Sequence, residues 1–214
     1  MIATIIFDFV GVLLFPKENR EVCRLADEID QQIGAVTNDI IFKEKILHEY
    51  NLDDNEFDNI LKSIVDKYEP YVPLWELLPE IRKCYKLGII NNGTYLTYPT
   101  FDEKYHISQR FDIFVSSALE GVCKPDHAIY LRACEKLGSQ PQNCLFMDDR
   151  EENIIGAQQV GMQTIHWSSK EIGFQEFISC IRMPGDSSPR LTCACGKVQA
   201  ETKPTSVGCG SRNA

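Results

Sequence analysis

Short apolar runs alternate with segments of helical periodicity along most of the chain. The runs are rich in β-branched and aliphatic residues, as buried strands are, and they cover 3–7, 87–90, 112–116, 144–147 and 162–166. The later segments between them predict helices over 74–86, 126–137, 151–160 and 170–182. Strands that alternate with helices predict an α/β fold, with a Rossmann-like parallel sheet and helices on both faces.

A different pattern occupies the stretch between about residues 17 and 70. Apolar positions recur there at three- and four-residue steps, as at Val22, Leu25 and Ile29. Polar residues that favour helix starts occur at 37–39 and 53–54. We therefore predict a compact helical insert of two to four helices.

The pattern divides the chain into three parts. Residues 1–14 and 73–182 form the predicted core domain, and residues 15–72 form the helical insert. Residues 183–189 are rich in Pro, Gly and Ser, which is typical of a linker. The 25 residues that follow are too few for an independent hydrophobic core, so we expect 183–214 to be a mobile linker and tail.

Composition and charge narrow the range of partners. The 214 residues include 31 acidic and 22 basic side chains, a formal net charge of −9. A field of this sign repels nucleic acids and anionic membranes, so we expect neither as a partner. No apolar run approaches the roughly 18 residues of a membrane helix, and no basic segment precedes the first strand as in a signal peptide. We therefore expect a cytoplasmic protein.

Polar residues stand directly after four of the predicted strands. In a parallel sheet, ligands bind beyond the carboxyl ends of the strands, so these residues are candidates for a site. They are Asp8, Asn91 and Asn92, Ser116 and Ser117, and Asp148 and Asp149. Asn91-Asn92-Gly93 offers amide and backbone donors to an anion, although Asn-Gly alone is simply a turn.

The acidic residues among them suggest a cation. Asp148 and Asp149 carry adjacent carboxylates that repel each other, and hard oxygen ligands suit Mg²⁺. Asp8 ends an apolar strand, where a charge is costly unless it is paired, bound to a metal or exposed at a site; the alternative is a cap or turn residue. Lys124 could neutralise these carboxylates or bind a phosphoryl oxygen, although an isolated lysine is more often a surface residue.

The order and spacing of four segments resemble the four motifs of the haloacid dehalogenase-like (HAD) hydrolase superfamily. The segments are residues 5–13, 89–93, 123–126 and 145–153. Residues 156–157 and 160–162 also match the last helix and strand of that family, so the resemblance covers about residues 1–181. The helical insert resembles the small helical cap that closes over the site in this family.

The resemblance implies a phosphatase that acts on a small phosphorylated metabolite. Asp8 would be the nucleophile that attacks phosphorus and forms an aspartyl-phosphate. Mg²⁺ would be bound by Asp8, the backbone carbonyl of Val10 and Asp149, with Asp148 nearby.

Further residues would bind the phosphoryl group or support the metal ligands. The resemblance implies that Lys124 holds Asp8 and a phosphoryl oxygen, that Asn91 and the backbone of Asn92 and Gly93 bind another oxygen, and that Asn153 supports Asp149. Substrate specificity is expected from residues such as Phe15, Lys17, Arg20 and Trp75.

Two positions depart from the family pattern. Its phosphatases usually carry a second Asp, as general acid and base, where this chain has Val10; such help is worth roughly 10²–10⁴ in rate. Ser or Thr usually stands where this chain has Asn91. The departures leave two alternatives open. One is a catalytically silent binding or regulatory protein. The other is a 2-haloacid dehalogenase, which needs no metal and whose family members also lack the second Asp.

The tail carries Cys193, Cys195 and Cys209. Residues 191–198 are similar to the opening of the glutathione-dependent formaldehyde-activating (GFA-like) zinc modules. A structural zinc site requires four protein ligands, whereas this tail has three cysteines and no histidine. The sequence therefore favours a truncated or vestigial module.

Overall fold

The computed structural model describes residues 1–34 and 36–182, and its centre is a five-stranded parallel sheet. In spatial order its strands are Ile113–Ser116 (β5), Lys86–Asn91 (β4), Thr4–Phe7 (β1), Cys144–Asp148 (β6) and Gln163–His166 (β7). The predicted α/β fold is confirmed, and the ends of the five predicted strands are correct to within one residue.

A separate antiparallel ribbon pairs Leu14–Pro16 (β2) with Tyr68–Pro70 (β3). It closes the base of the helical insert, because its strands stand immediately before and after the insert helices in the chain. The sequence did not predict this ribbon.

Helices surround the sheet and fill the insert. They are Arg24–Ile33 (α1), Asp39–Tyr50 (α2), Asp54–Asp66 (α3), Val72–Ile81 (α4), Tyr98–Tyr105 (α5), Ile107–Arg110 (α6), Ser117–Glu120 (α7), His127–Leu137 (α8), Glu151–Gln159 (α9) and Lys170–Cys180 (α10). The predicted helix over 74–86 is wrong at both ends, since α4 begins at Val72 and ends at Ile81. It cannot extend to Lys86, because Lys86 already pairs with Thr4 in the sheet. Helices α5 to α7 were not predicted.

The central strand β1 is fully buried and faces two hydrophobic clusters. Ile5 and Phe7 belong to one cluster, which also contains Phe177 of α10. Ile6 points to the opposite face and packs in the cluster that contains Tyr130 of α8. This alternation places helices on both faces of the sheet, as the sequence predicted.

Two of the described insert helices, α2 and α3, begin where polar caps were expected. The side chain of Asn38 accepts hydrogen bonds from the N–H groups of Ile40 and Ile41, and Asp53 forms a capping box with Glu56. Val22 fits the helical period in the sequence but lies outside the helix, because α1 begins only at Arg24, and its side chain is exposed.

Residues 183–214 lie outside the described part of the chain, so the predictions about the linker and about Cys193, Cys195 and Cys209 are not tested. Among the described residues, no helix combines the length and the hydropathy needed to cross a membrane.

Candidate active site

Strand register makes Asp8 and Asp148 neighbours. Phe7 of β1 pairs with Met147 of β6, so the residues that follow them lie side by side at the carboxyl end of the sheet. The N–H of Asp8 continues this pairing and donates to the carbonyl of Met147 over 2.8 Å. Both aspartates are buried. Two buried carboxylates with oxygens within 4.8 Å of each other require a positive partner.

Lys124 is that partner. Its Nζ lies 2.5 Å from Oδ1 of Asp8, 2.6 Å from Oδ2 of Asp148 and 2.9 Å from the carbonyl oxygen of Ile90. These contacts use all three donors of the ammonium group. Burial lowers the pKa of Lys124. The charges and hydrogen bonds of Asp8 and Asp148 together raise it by more, so the net shift is upward and Lys124 stays protonated.

Asp148 is held by hydrogen bonds at both oxygens. Oδ1 accepts from the N–H of Arg150 and from Nδ2 of Asn153, each over 2.9 Å, while Oδ2 accepts from Lys124. The expected contact of Asn153 with Asp149 is therefore wrong. At the end of β6, Asp148 points inward and Asp149 is exposed, so the buried Asn153 reaches Asp148.

Asn92 positions Lys124 through the backbone. Its Nδ2 donates to the carbonyl of Lys124 over 2.9 Å, and its Oδ1 accepts from the N–H of Lys124 over 2.7 Å. The N–H of Gly93 donates to Oγ of Ser117 over 2.8 Å. The side chain of Asn92 and the N–H of Gly93 are therefore engaged inside the protein. The N–H of Gly93 is thus not free to bind an anion, whereas anion binding by the backbone N–H of Asn92 stays a prediction.

Asn91 is differently placed. It lines the cavity described below, and its side-chain amide has no hydrogen-bond partner among the described residues. A Cβ on Gly93 would lie 3.0 Å from Nδ2 of Asn91 and 2.9 Å from Cγ2 of Ile33, so the glycine leaves room for both side chains. Asn91 therefore keeps a free donor for an oxygen of a ligand.

The acidic side chains fit a divalent cation. One oxygen each of Asp8, Asp148 and Asp149 lies within 4.8 Å of the others. Gly11, at φ +108°, permits this approach, because a Cβ there would lie 2.7 Å from Cγ of Asp149. Three carboxylates and one ammonium leave an excess of two negative charges, and the donors are hard oxygens, as Mg²⁺ prefers. Val10, the expected backbone ligand, lines the same cavity.

The crowded charges change the acidity of the aspartates. Burial raises the pKa of Asp8 most strongly, Lys124 lowers it, and Asp148 and Asp149 raise it, with the result that the pKa is about 7. Partial burial of the carboxyl and the charge of Asp148 also raise the pKa of Asp149. In the metal-free protein Asp8 therefore holds a proton for part of the time at neutral pH.

A cavity of about 700 Å³ opens above these groups, within the size range of small-molecule sites. Of the residues expected to give specificity, Phe15 lines it, whereas Lys17, Arg20 and Trp75 do not. Other lining residues were not singled out from the sequence; they include Asp30, Gln31, Tyr68, Thr97, Trp167 and Ser169.

Comparison with known proteins points to one family. The sequence family model of the haloacid dehalogenase-like hydrolases matches residues 2–161 of this chain. A HAD family enzyme from Bacteroides thetaiotaomicron, crystallised with magnesium and inorganic phosphate, superposes with a TM-score of 0.61 and 17% identity, over 77% of this chain and 93% of that one. At this identity the likeness concerns the fold.

Curated relatives match over shorter stretches. Acyl-CoA dehydrogenase family member 10 of Mus musculus is 34% identical over 76 residues, 36% of this chain and 7% of that protein. N-acylneuraminate-9-phosphatase of Rattus norvegicus is 30% identical over 98 residues, 45% of this chain and 40% of that protein. The chain thus spans less than half the length of either relative.

Proposed function

The chain belongs to the haloacid dehalogenase-like hydrolase family, and on that premise we propose that it is a Mg²⁺-dependent phosphatase that acts on a small phosphorylated metabolite through an aspartyl-phosphate on Asp8. The observation that carries this proposal is the convergence of Asp8, Lys124, Asp148 and Asp149 at the floor of one cavity. Phosphatases among the curated relatives support the same reaction class.

Asp8 supplies the nucleophile. Lys124 holds Oδ1, while Oδ2 accepts no hydrogen bond from the described residues and is free to attack. Attack forms a bond from Oδ2 to phosphorus, and the ester oxygen leaves with its bonding electrons. Water then attacks the same phosphorus, which releases inorganic phosphate and restores the carboxylate.

The surrounding residues prepare Asp8 for this step. Lys124 holds its carboxylate in place and offers positive charge to the transferring group, and Asn91 donates to a phosphoryl oxygen. Asp8, Asp149 and the carbonyl of Val10 would hold Mg²⁺, with Asp148 beside them. A bound Mg²⁺ neutralises negative charge on the site and on the phosphoryl group.

The leaving oxygen receives no proton from position 10, because Val10 has no acidic group. Substrates with leaving groups of low pKa, such as sugar 1-phosphates or acyl phosphates, therefore lose least from its absence. Turnover of acetyl phosphate and p-nitrophenyl phosphate in Mg²⁺ tests the proposal. We expect hydrolysis that disappears in EDTA and in Asp8→Asn; phosphate or Mg²⁺ binding without turnover would favour the catalytically silent alternative.

A 2-haloacid dehalogenase is the second candidate, and Val10 is the residue that favours it. That reaction uses Asp8 to attack carbon and needs no metal, so it leaves the acidic cluster around Asp149 without a role. Chloride release from 2-chloropropionate in EDTA would support the dehalogenase. Its absence, together with Mg²⁺-dependent phosphate release, supports the phosphatase.

A further inference from the structure

A charged network on the insert reaches the cavity at Asp30 of α1. Oδ2 of Asp30 accepts hydrogen bonds from Nζ of Lys67 and from the hydroxyl of Tyr68, each over 2.6 Å. Lys67 also lies 3.2 Å from Asp27, which Arg20 binds through both carboxylate oxygens. The negative charges of the two aspartates equal the positive charges of Arg20 and Lys67, so Asp30 belongs to a hydrogen-bonded network without net charge.

One oxygen of Asp30 is left for a ligand. Both donors reach Oδ2, and no group in the described ranges donates to Oδ1. Burial and the charge of Asp30 raise the pKa of Tyr68, so its hydroxyl keeps its proton and stays a donor to Asp30. Asp30 and Tyr68 both line the cavity that contains Asp8. The network therefore presents a hydrogen-bond acceptor to a molecule bound there.

Trp167 also lines this cavity, but its ring nitrogen does not face it. Nε1 of Trp167 is buried and makes no hydrogen bond within the part of the chain that the structure describes, so it offers no donor to a molecule in the cavity. The cavity lining also includes the apolar side chains of Phe15, Ile64 and Phe101.

We infer that Asp30 is a specificity-determining residue, and that it selects phosphomonoesters whose alcohol portion carries hydroxyl groups. A substrate hydroxyl can donate to Oδ1 of Asp30, which accepts no hydrogen bond from the described residues, whereas a hydrocarbon group cannot. An ammonium group is less suited, because Lys67 already balances the charge of Asp30. The inference rests on the proposed function and deepens it by naming a substrate class.

Asp30→Asn is the sharpest test because it keeps the size of the side chain. The amide oxygen would stay toward Lys67 and Tyr68, which are donors, and the NH₂ group would face the cavity in place of an acceptor. Asp27→Asn is the matched control: Asp27 lies on the same helix and in the same network but does not line the cavity. Both variants weaken the network, and only one changes the cavity.

The readout is kcat/KM of each variant divided by that of the wild type, for glucose 1-phosphate and for cyclohexyl phosphate. This ratio cancels the different leaving-group pKa values of the two probes. In Asp30→Asn we expect the loss with glucose 1-phosphate to exceed the loss with cyclohexyl phosphate by about 10-fold or more. In Asp27→Asn the two losses should agree within about twofold.

Several results would overturn the inference. Equal losses of kcat/KM with glucose 1-phosphate and cyclohexyl phosphate in Asp30→Asn would do so. A larger loss with 2-aminoethyl phosphate than with glucose 1-phosphate would also overturn it. If the wild type turns over no phosphate ester, the proposed function fails by itself. Calorimetric binding of glucose 1-phosphate and cyclohexyl phosphate then decides the role of Asp30 separately, because the same selective loss is expected in affinity and its absence contradicts the inference.

Discussion

The ammonium group of Lys124 lies 2.5 Å from the carboxylate of Asp8, which stands 116 positions earlier in the chain. The same ammonium contacts Asp148, so one buried cation holds two carboxylates from adjacent strands. Lys124 therefore matters for the folded state as well as for the proposed chemistry, and the two effects can be measured separately.

Replacing Lys124 by Met leaves Asp8 and Asp148 buried without their cation. Loss of one partner of a buried ion pair costs about 3–5 kcal/mol, and we expect that loss in urea unfolding at pH 8 in EDTA. Lys136→Met is the control, because Lys136 forms an exposed ion pair with Glu120 that is worth no more than about 1 kcal/mol. Equal effects of the two variants would contradict the role given to Lys124.

The raised pKa of Asp8 makes the stability of the metal-free protein depend on pH. The pKa is about 7 in the folded state against 3.8 for an aspartate side chain in water, so the folded state holds more protons between these values. Stability from this group is therefore present at low pH and is lost as pH rises through about 7, by an amount on the order of 1–4 kcal/mol.

Asp8→Asn removes the titrating group and isolates this effect. We expect the difference in unfolding free energy, variant minus wild type, to rise between pH 5 and pH 8 in EDTA. Saturating Mg²⁺ should reduce the slope, because a bound cation favours the carboxylate. A difference that stays constant with pH in EDTA would show that Asp8 does not have the raised pKa.

Gly11 allows Asp149 to approach the loop after β1. Gly11→Ala places a Cβ 2.7 Å from Cγ of Asp149, so we expect Mg²⁺ affinity to fall by about 10-fold or more in calorimetry. Gly121→Ala is the matched control, since Gly121 also has a positive φ but has no atom within 4 Å of the added Cβ. Unchanged Mg²⁺ affinity in Gly11→Ala would argue against Asp149 as a ligand.

The chain pattern predicts the sheet and the acidic cluster for a simple reason. Each strand is a continuous apolar run that ends in a polar residue, and parallel strands bring those ends to one edge, so Asp8, Asp148 and Asp149 meet. Whether Asp148 or Asp149 points inward depends on the residue at which β6 ends. The resemblance implies that Asn153 supports Asp149, whereas in the structure Asn153 donates to Asp148.

Other parts of the site depend on tertiary packing that no local pattern reports. The three-residue strands β2 and β3 are far apart in the chain and too short to show a period of two. Tyr68 belongs to that ribbon, and Asp30 shares α1 with the apolar Ile29 and Ile33. The sequence pattern therefore identifies neither of them as a residue of the cavity. Val22 matched the helical period, but α1 begins after it.

Substitution of Val10 by an acidic residue should increase the proposed phosphatase activity. Val10 lines the cavity, and Val10→Asp would place a general acid beside the leaving oxygen. We expect kcat/KM, which reports formation of the aspartyl-phosphate, to rise by about 10-fold or more with alkyl phosphates. The gain in kcat/KM with acetyl phosphate, whose leaving group needs little protonation, should be smaller. Val10→Asn has a similar shape but transfers no proton, so an equal gain in that variant would contradict the explanation.

The absence of an acid and base at Val10 also predicts that the covalent intermediate accumulates, because no general base assists the hydrolytic water. The most direct measurement is mass spectrometry of the protein quenched in acid during turnover of acetyl phosphate in Mg²⁺. We predict one added phosphoryl group on the peptide that contains Asp8, and none in Asp8→Asn. Release of phosphate while that peptide stays unmodified would contradict nucleophilic catalysis by Asp8.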